Sequence, residues 1–100
     1  EQISRDIQEM FTKGVDQVVA KQILELAHKR LSSLSNFETA QIDQALRQVA
    51  EELGLKAGPC FIVIRIAATG KKVTPPLFES LEALGKDRAV SRIAETLELL

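Results

Sequence analysis

The chain has 100 residues, 45% of them hydrophobic, only four aromatics, and a formal net charge of −1. That length suits about one domain of the usual roughly 100–150 residues, with a core built from Leu, Ile, Val and Ala. The balanced charge excludes an indiscriminate polycationic nucleic-acid coat, a single cysteine, Cys60, excludes an intrachain disulfide, and no apolar run approaches the roughly 20 residues that span a bilayer.

Residues 1–13 read as a short helix or entry segment, with Ile3, Ile7 and Met10 at helical spacing. After Gly14, Asp16 stands where an N-cap is expected. Val19, Ile23, Leu26, Ala27 and Leu34 then recur at three- and four-residue intervals, the stripe of an amphipathic helix. That helix is expected to end in the polar cluster 32–36. Ser35 and Glu38 have capping-box spacing. Ile42, Leu46, Val49 and Leu53 line one face of the next helix, and Gly54 sits where a C-terminus favours a left-handed residue. The short polar connection makes 15–54 an antiparallel helical hairpin.

Gly58-Pro59 breaks the pattern. The run Phe61-Ile62-Val63-Ile64-Arg65-Ile66 has the composition of a strand. Yet no other segment reads as a strand, and a lone strand leaves its amides and carbonyls unpaired. Two readings stand: a helix against its propensity, which is favoured, or a strand that pairs with another molecule. Gly70-Lys71-Lys72 is a basic turn. Thr74 then reads as a helix cap, with Pro75 in the first helical position. Leu77, Leu81 and Leu84 form an apolar face that Gly85 ends. A last helix opens at Lys86-Asp87 and buries Val90, Ile93, Ala94 and Leu97.

Charge is unevenly spread. Residues 1–54 carry six Lys/Arg against nine Asp/Glu, whereas 55–100 carry seven against five. The second half is electropositive. Catalytic constellations are not legible. His28 is the only histidine, too few for a zinc site of the usual kind or for a catalytic triad. Cys60 lies in an apolar stretch, where thiols are usually inert. Gly70-Lys71-Lys72 lacks the spacing and strand of a phosphate-binding loop, and adjacent Glu51-Glu52 point to different parts of a helix surface.

Several runs occur in order: Leu53-Gly54-Leu55-Lys56-Ala57-Gly58, Ile64-Arg65-Ile66-Ala67-Ala68-Thr69-Gly70, Thr74-Pro75-Pro76-Leu77-Phe78-Glu79, Leu84-Gly85-Lys86-Asp87 and Arg92-Ile93. Together they resemble the C-terminal, anticodon-binding domain of bacterial-type glutamyl-tRNA synthetase, a class I aminoacyl-tRNA synthetase. The agreement spans roughly residues 42–97; the first forty residues resemble it only in helical patterning. Pro76 stands where many members have glycine, and Ile62-Val63-Ile64 is more β-branched than usual.

The resemblance implies an all-α fold, a helical bundle or cage of about five to six short helices. It implies one domain over 1–100, with the hairpin 15–54 docked on a helical cluster 58–100 that carries the tRNA site. It further implies a non-catalytic piece of a cytoplasmic, ATP-dependent glutamate–tRNA ligase, with ATP and magnesium used by the parent and neither by this chain. A start at Glu1 rather than Met fits a fragment. The implied partners are the anticodon loop of a glutamate tRNA and the parent's other domains, not DNA or a membrane.

Carried over by position, Arg65 contacts the first anticodon base, and Thr74, Pro75 and Leu77 hold the middle one. The residue types suit the task. Single-stranded bases offer edges and faces, arginine supplies a planar fork of donors, helix N-termini offer free amides, and proline with leucine gives a rigid apolar platform. Lys71, Lys72 and Arg88 are candidate phosphate contacts. Without the resemblance, Arg65 reads as a structural arginine bonded to helix-end carbonyls, Thr74-Pro75 as an ordinary helix start and Leu77 as core. The rival function is a helical protein–protein interaction module, which an apolar groove between 15–54 and 77–97 would favour.

Overall fold

The computed structural model describes residues 7–11, 14–70 and 76–100. A 3-10 turn at Ile7–Met10 is followed by α1 (Gln17–Ser32), α2 (Thr39–Leu53), α3 (Ala57–Thr69), α4 (Leu77–Leu84) and α5 (Lys86–Leu99). The fold is all-α, and the described residues contain no strand. No helix of the described residues is long and apolar enough to cross a membrane.

The β-like run 61–66 lies wholly inside α3. Its surroundings explain why propensity lost. α3 packs against α1, α2, α4, α5 and the N-terminal turn. Val63, Ile64 and Ile66 are fully buried there, as are Cys60, Ala67 and Ala68. Burying one such aliphatic side chain stabilises by about 1.5–3 kcal/mol. Placing a β-branched residue in a helix costs at most about 0.7 kcal/mol. Burial therefore wins at each of these positions, and the helix satisfies its own backbone. Gly58-Pro59 does not break the element. Both fall in its first turn, where a missing N–H removes no intrahelical bond.

The helix ends follow local chemistry in most places. Asp16 caps α1, its carboxylate accepting from the Val19 N–H at 2.9 Å. Gly54 ends α2 in the left-handed region at φ 68°, as the sequence requires. The start of α2 differs from expectation. Glu38 is the N-cap and makes no side-chain cap bond, so Ser35 and Glu38 do not form a capping box. A residue from another helix fills the role. The Glu82 carboxylate of α4 accepts from the Thr39 N–H at 2.8 Å and from the Thr39 hydroxyl. Lys86, the first residue of α5, donates to the Leu34 carbonyl at 2.8 Å. The α4–α5 corner thus closes both sides of the α1–α2 connection. Gly85 makes that corner possible at φ 87°, ψ 155°, a region essentially reserved for glycine.

Two stability outcomes follow from this packing. Ile66→Ala is expected to lower the unfolding free energy by about 2–5 kcal/mol in urea titration. Glu82→Ala is expected to lower it by about 1 kcal/mol, the usual worth of a helix cap.

Candidate nucleic-acid interface

Three of the candidate residues are described: Arg65 near the C-terminal end of α3, Leu77 at the start of α4 and Arg88 in the first turn of α5. Arg65 lies one turn before the end of α3 and is partly buried. Its Nε is buried and has no hydrogen-bond partner. This matters because an unpartnered buried donor carries a desolvation cost of about 1–3 kcal/mol.

The carbonyls at the end of α3 are satisfied by other groups. Gly70 closes the helix at φ 79°, its N–H donating to the Ile66 carbonyl at 2.9 Å. The Thr69 hydroxyl donates to the Arg65 carbonyl at 2.6 Å. From α5, Arg92 Nη1 donates to the Ala68 carbonyl at 3.0 Å, and the buried Thr96 hydroxyl to the Ala67 carbonyl at 3.3 Å. The structural role of an arginine on helix-end carbonyls therefore exists here, but Arg92 fills it. Arg65 is left with its guanidinium free of that duty.

α4 begins at Leu77, with Pro76 as its N-cap and the Pro76 carbonyl accepting from the Ser80 N–H at 3.0 Å. The helix start thus falls two residues later than a Thr74 cap with Pro75 in the first helical position. A residue that precedes proline is disfavoured in the α region, so Pro76 sets the earliest easy start. Thr74 and Pro75 lie outside the described residues, as do Lys71 and Lys72. Leu77 is 2% exposed and belongs to the core. What it can present outward is its backbone, because the first N–H groups of a helix lack intrahelical acceptors. Arg88 is exposed on α5, one turn before Arg92 and on the same face.

Three residues not singled out in the sequence meet one helical turn before Arg65. Phe61 sits one turn before it on α3, and Phe78 follows Leu77 on α4. Their rings meet edge to face, 5.3 Å between centroids at 85°. The Arg47 guanidinium of α2 lies 6.0 Å from the Phe61 ring and 5.9 Å from the Phe78 ring. No sequence motif announces this trio, since three separate helices supply it. The i, i+4 spacing of Phe61 and Arg65 is the one local signal.

Elsewhere the surface offers little for chemistry. Among the described residues no group of three or more His, Cys, Asp or Glu could hold a metal ion. Cys60 is fully buried, and burial pushes its thiol pKa up. A cleft of about 440 Å³ between α1 and α2 is open and polar, with Lys29, Arg30, Gln41, Gln48 and Glu52 on its walls. It lies within 15–54, and is not the groove between 15–54 and 77–97 that would favour an interaction module.

A family model described as the anticodon binding domain matches residues 3–97. The chain is 44% identical over 84 residues to the glutamate–tRNA ligase of Roseiflexus sp. (strain RS-1), covering 84% of this chain and 17% of that protein. It is 40% identical to the glutamate–tRNA ligase of Roseiflexus castenholzii over 95% of this chain and 19% of that protein. It is 38% identical to the glutamate–tRNA ligase of Dehalococcoides mccartyi (strain BAV1) over 98% of this chain and 20% of that protein. The chain thus spans no more than a fifth of the length of these relatives.

A raised thiol pKa lowers the thiolate fraction, and burial blocks access. Cys60 is therefore expected to resist a disulfide-exchange reagent at pH 8 and to react fully once urea unfolds the chain. Rapid labelling of the native protein would contradict that placement.

Proposed function

The chain belongs to the anticodon binding domain family, and from that premise we propose that it recognises the anticodon of a glutamate tRNA as the non-catalytic part of a glutamate–tRNA ligase. The parent attaches glutamate to the tRNA with ATP and magnesium, through residues outside this chain, in the cytoplasm. The chain's own contribution is recognition, alongside the parent's other domains.

One observation carries the reading. Arg65 has a buried, unpartnered Nε, while Arg92 takes the helix-end carbonyl that would otherwise occupy an arginine. The side chain is only partly buried, so its exposed part and not the covered Nε is what a base can meet. Its fork of donors suits the edge of a base. The start of α4, which meets α3 through the Phe78–Phe61 contact, supplies free amides and a positive helix end, which suit a phosphate or a carbonyl edge of a splayed base. In this reading Thr74, Pro75 and Leu77 hold the middle base, Leu77 as the first residue of α4. Lys71, Lys72 and Arg88 meet the backbone. The match to the anticodon binding domain favours this reading over the rival interaction module.

The test is binding of the chain to a glutamate tRNA transcript and to the same transcript with each anticodon base changed. Salt-sensitive binding with a preference for the native anticodon is expected. Arg65→Ala is expected to cost about 1–3 kcal/mol and to flatten the preference at one base. Equal binding of every anticodon variant by the unsubstituted chain would overturn the assignment.

A further inference from the structure

Arg47, Phe61 and Phe78 form a built feature beside Arg65 that the anticodon reading leaves unused. Arg47 is exposed, its side chain retaining 59% of its accessible surface. An exposed arginine is normally free to sample many rotamers. This one is held from two directions. The perpendicular Phe61–Phe78 pair lies beneath its guanidinium at about the 6 Å limit for a cation–π contact. The Asp43 carboxylate, one turn earlier on α2, accepts from its Nε. The consequence is directional. With Nε taken by Asp43, the two Nη groups remain as a fork, and no described residue accepts from them.

The platform is continuous with the candidate site. Phe61 shares a face of α3 with Arg65 at i, i+4, and Phe78 adjoins Leu77 at the start of α4. Phe61 and Arg65 are about 6 Å apart along the α3 axis, which puts this corner of α2, α3 and α4 within short reach of an RNA strand whose base meets Arg65. A planar, preoriented guanidinium fork is suited to a phosphate, which it meets with two parallel N–H···O bonds. The nearby Asp43 offsets part of the positive charge. The contact thus works through orientation at short range more than through long-range attraction.

We propose that Arg47, oriented by Asp43 and seated on the Phe61–Phe78 pair, is a phosphate clamp for the RNA backbone next to the nucleotide that meets Arg65. The proposal rests on the anticodon reading but makes a different demand. A phosphate contact carries no base information, so its loss weakens all sequences alike.

The experiment compares the unsubstituted chain with Arg47→Gln and Arg47→Lys, against the native glutamate tRNA transcript and its anticodon variants, across a salt series. Gln keeps much of the side-chain stem and removes the charge. R47Q is expected to lose affinity by the same factor for every transcript, leaving the anticodon preference intact. Its logarithmic salt slope should fall by about 0.7, the value for one single-strand phosphate. A fourfold rise in salt then weakens the unsubstituted chain roughly threefold more than R47Q. R47K returns the charge and is expected to restore the slope. A thermal melt of R47Q should match that of the unsubstituted chain, which separates the clamp from a purely structural cover over the rings. Unchanged affinity and slope in R47Q would overturn the clamp while leaving the Arg65 assignment standing. A loss confined to one anticodon variant would also overturn it, as would a loss that follows a lowered melting temperature. Binding of all anticodons equally by the unsubstituted chain, with a uniform loss in R47Q, would uphold the clamp and remove base reading by Arg65. No binding at low salt by the unsubstituted chain would overturn both.

Discussion

α3 carries six buried residues in a helix of thirteen, and a helix so apolar has almost no face to give to water. It must be enclosed, and every other element packs against it. Enclosure creates a second requirement at its C-terminal end. The last carbonyls of a helix have no intrahelical donors, and carbonyls at Ala67 and Ala68 are reached by side chains of α5. Arg92 and Thr96 meet them. This cross-helix cap fixes α5 against α3 and sets the frame on which the candidate interface is built. One arginine is spent on structure so that another, one turn inside the same helix end, is not.

The same division appears at the α4–α5 corner. The run Leu84-Gly85-Lys86 lies near the proposed RNA site in sequence but acts on the opposite connection. Gly85 supplies a backbone conformation few other residues adopt, Lys86 reaches the Leu34 carbonyl, and Glu82 caps α2. These contacts lock the hairpin of α1 and α2 to the α4–α5 pair. The second half of the chain is electropositive, yet Lys86 and Arg92 bond backbone carbonyls of the fold, whereas the Arg65 Nε has no hydrogen-bond partner. Counting basic residues would not separate the two groups. Their acceptors do.

Periodicity made most of the fold legible. The stripes of α1, α2, α4 and α5 are set by three- and four-residue spacing, and Asp16, Gly54 and Gly85 mark ends that local chemistry alone can assign. Where local signals failed, a distant residue had taken over the local role. Ser35 and Glu38 have the spacing of a capping box, but Glu82 caps α2 from 43 residues away. Thr74-Pro75 has the look of a helix start, but Pro76 moves that start to Leu77. Arg65 was legible as a candidate because it stands in a recognisable run. The trio of Arg47, Phe61 and Phe78 was not, because α2, α3 and α4 each supply one member and no spacing along the chain encodes their meeting.

By itself the sequence determined four amphipathic helical stripes, an aliphatic core, an acidic first half and a basic second half, and it carried the ordered motifs of an anticodon-binding family. Those properties depend on composition, periodicity and short runs, which are local. Only the tertiary structure decided that the β-branched run 61–66 is a helix, because its propensity is outweighed by burial against elements far away in the chain. Only the tertiary structure decided which arginine is free. Arg65 and Arg92 are alike as residues, and what separates them is whether a helix-end carbonyl lies within reach.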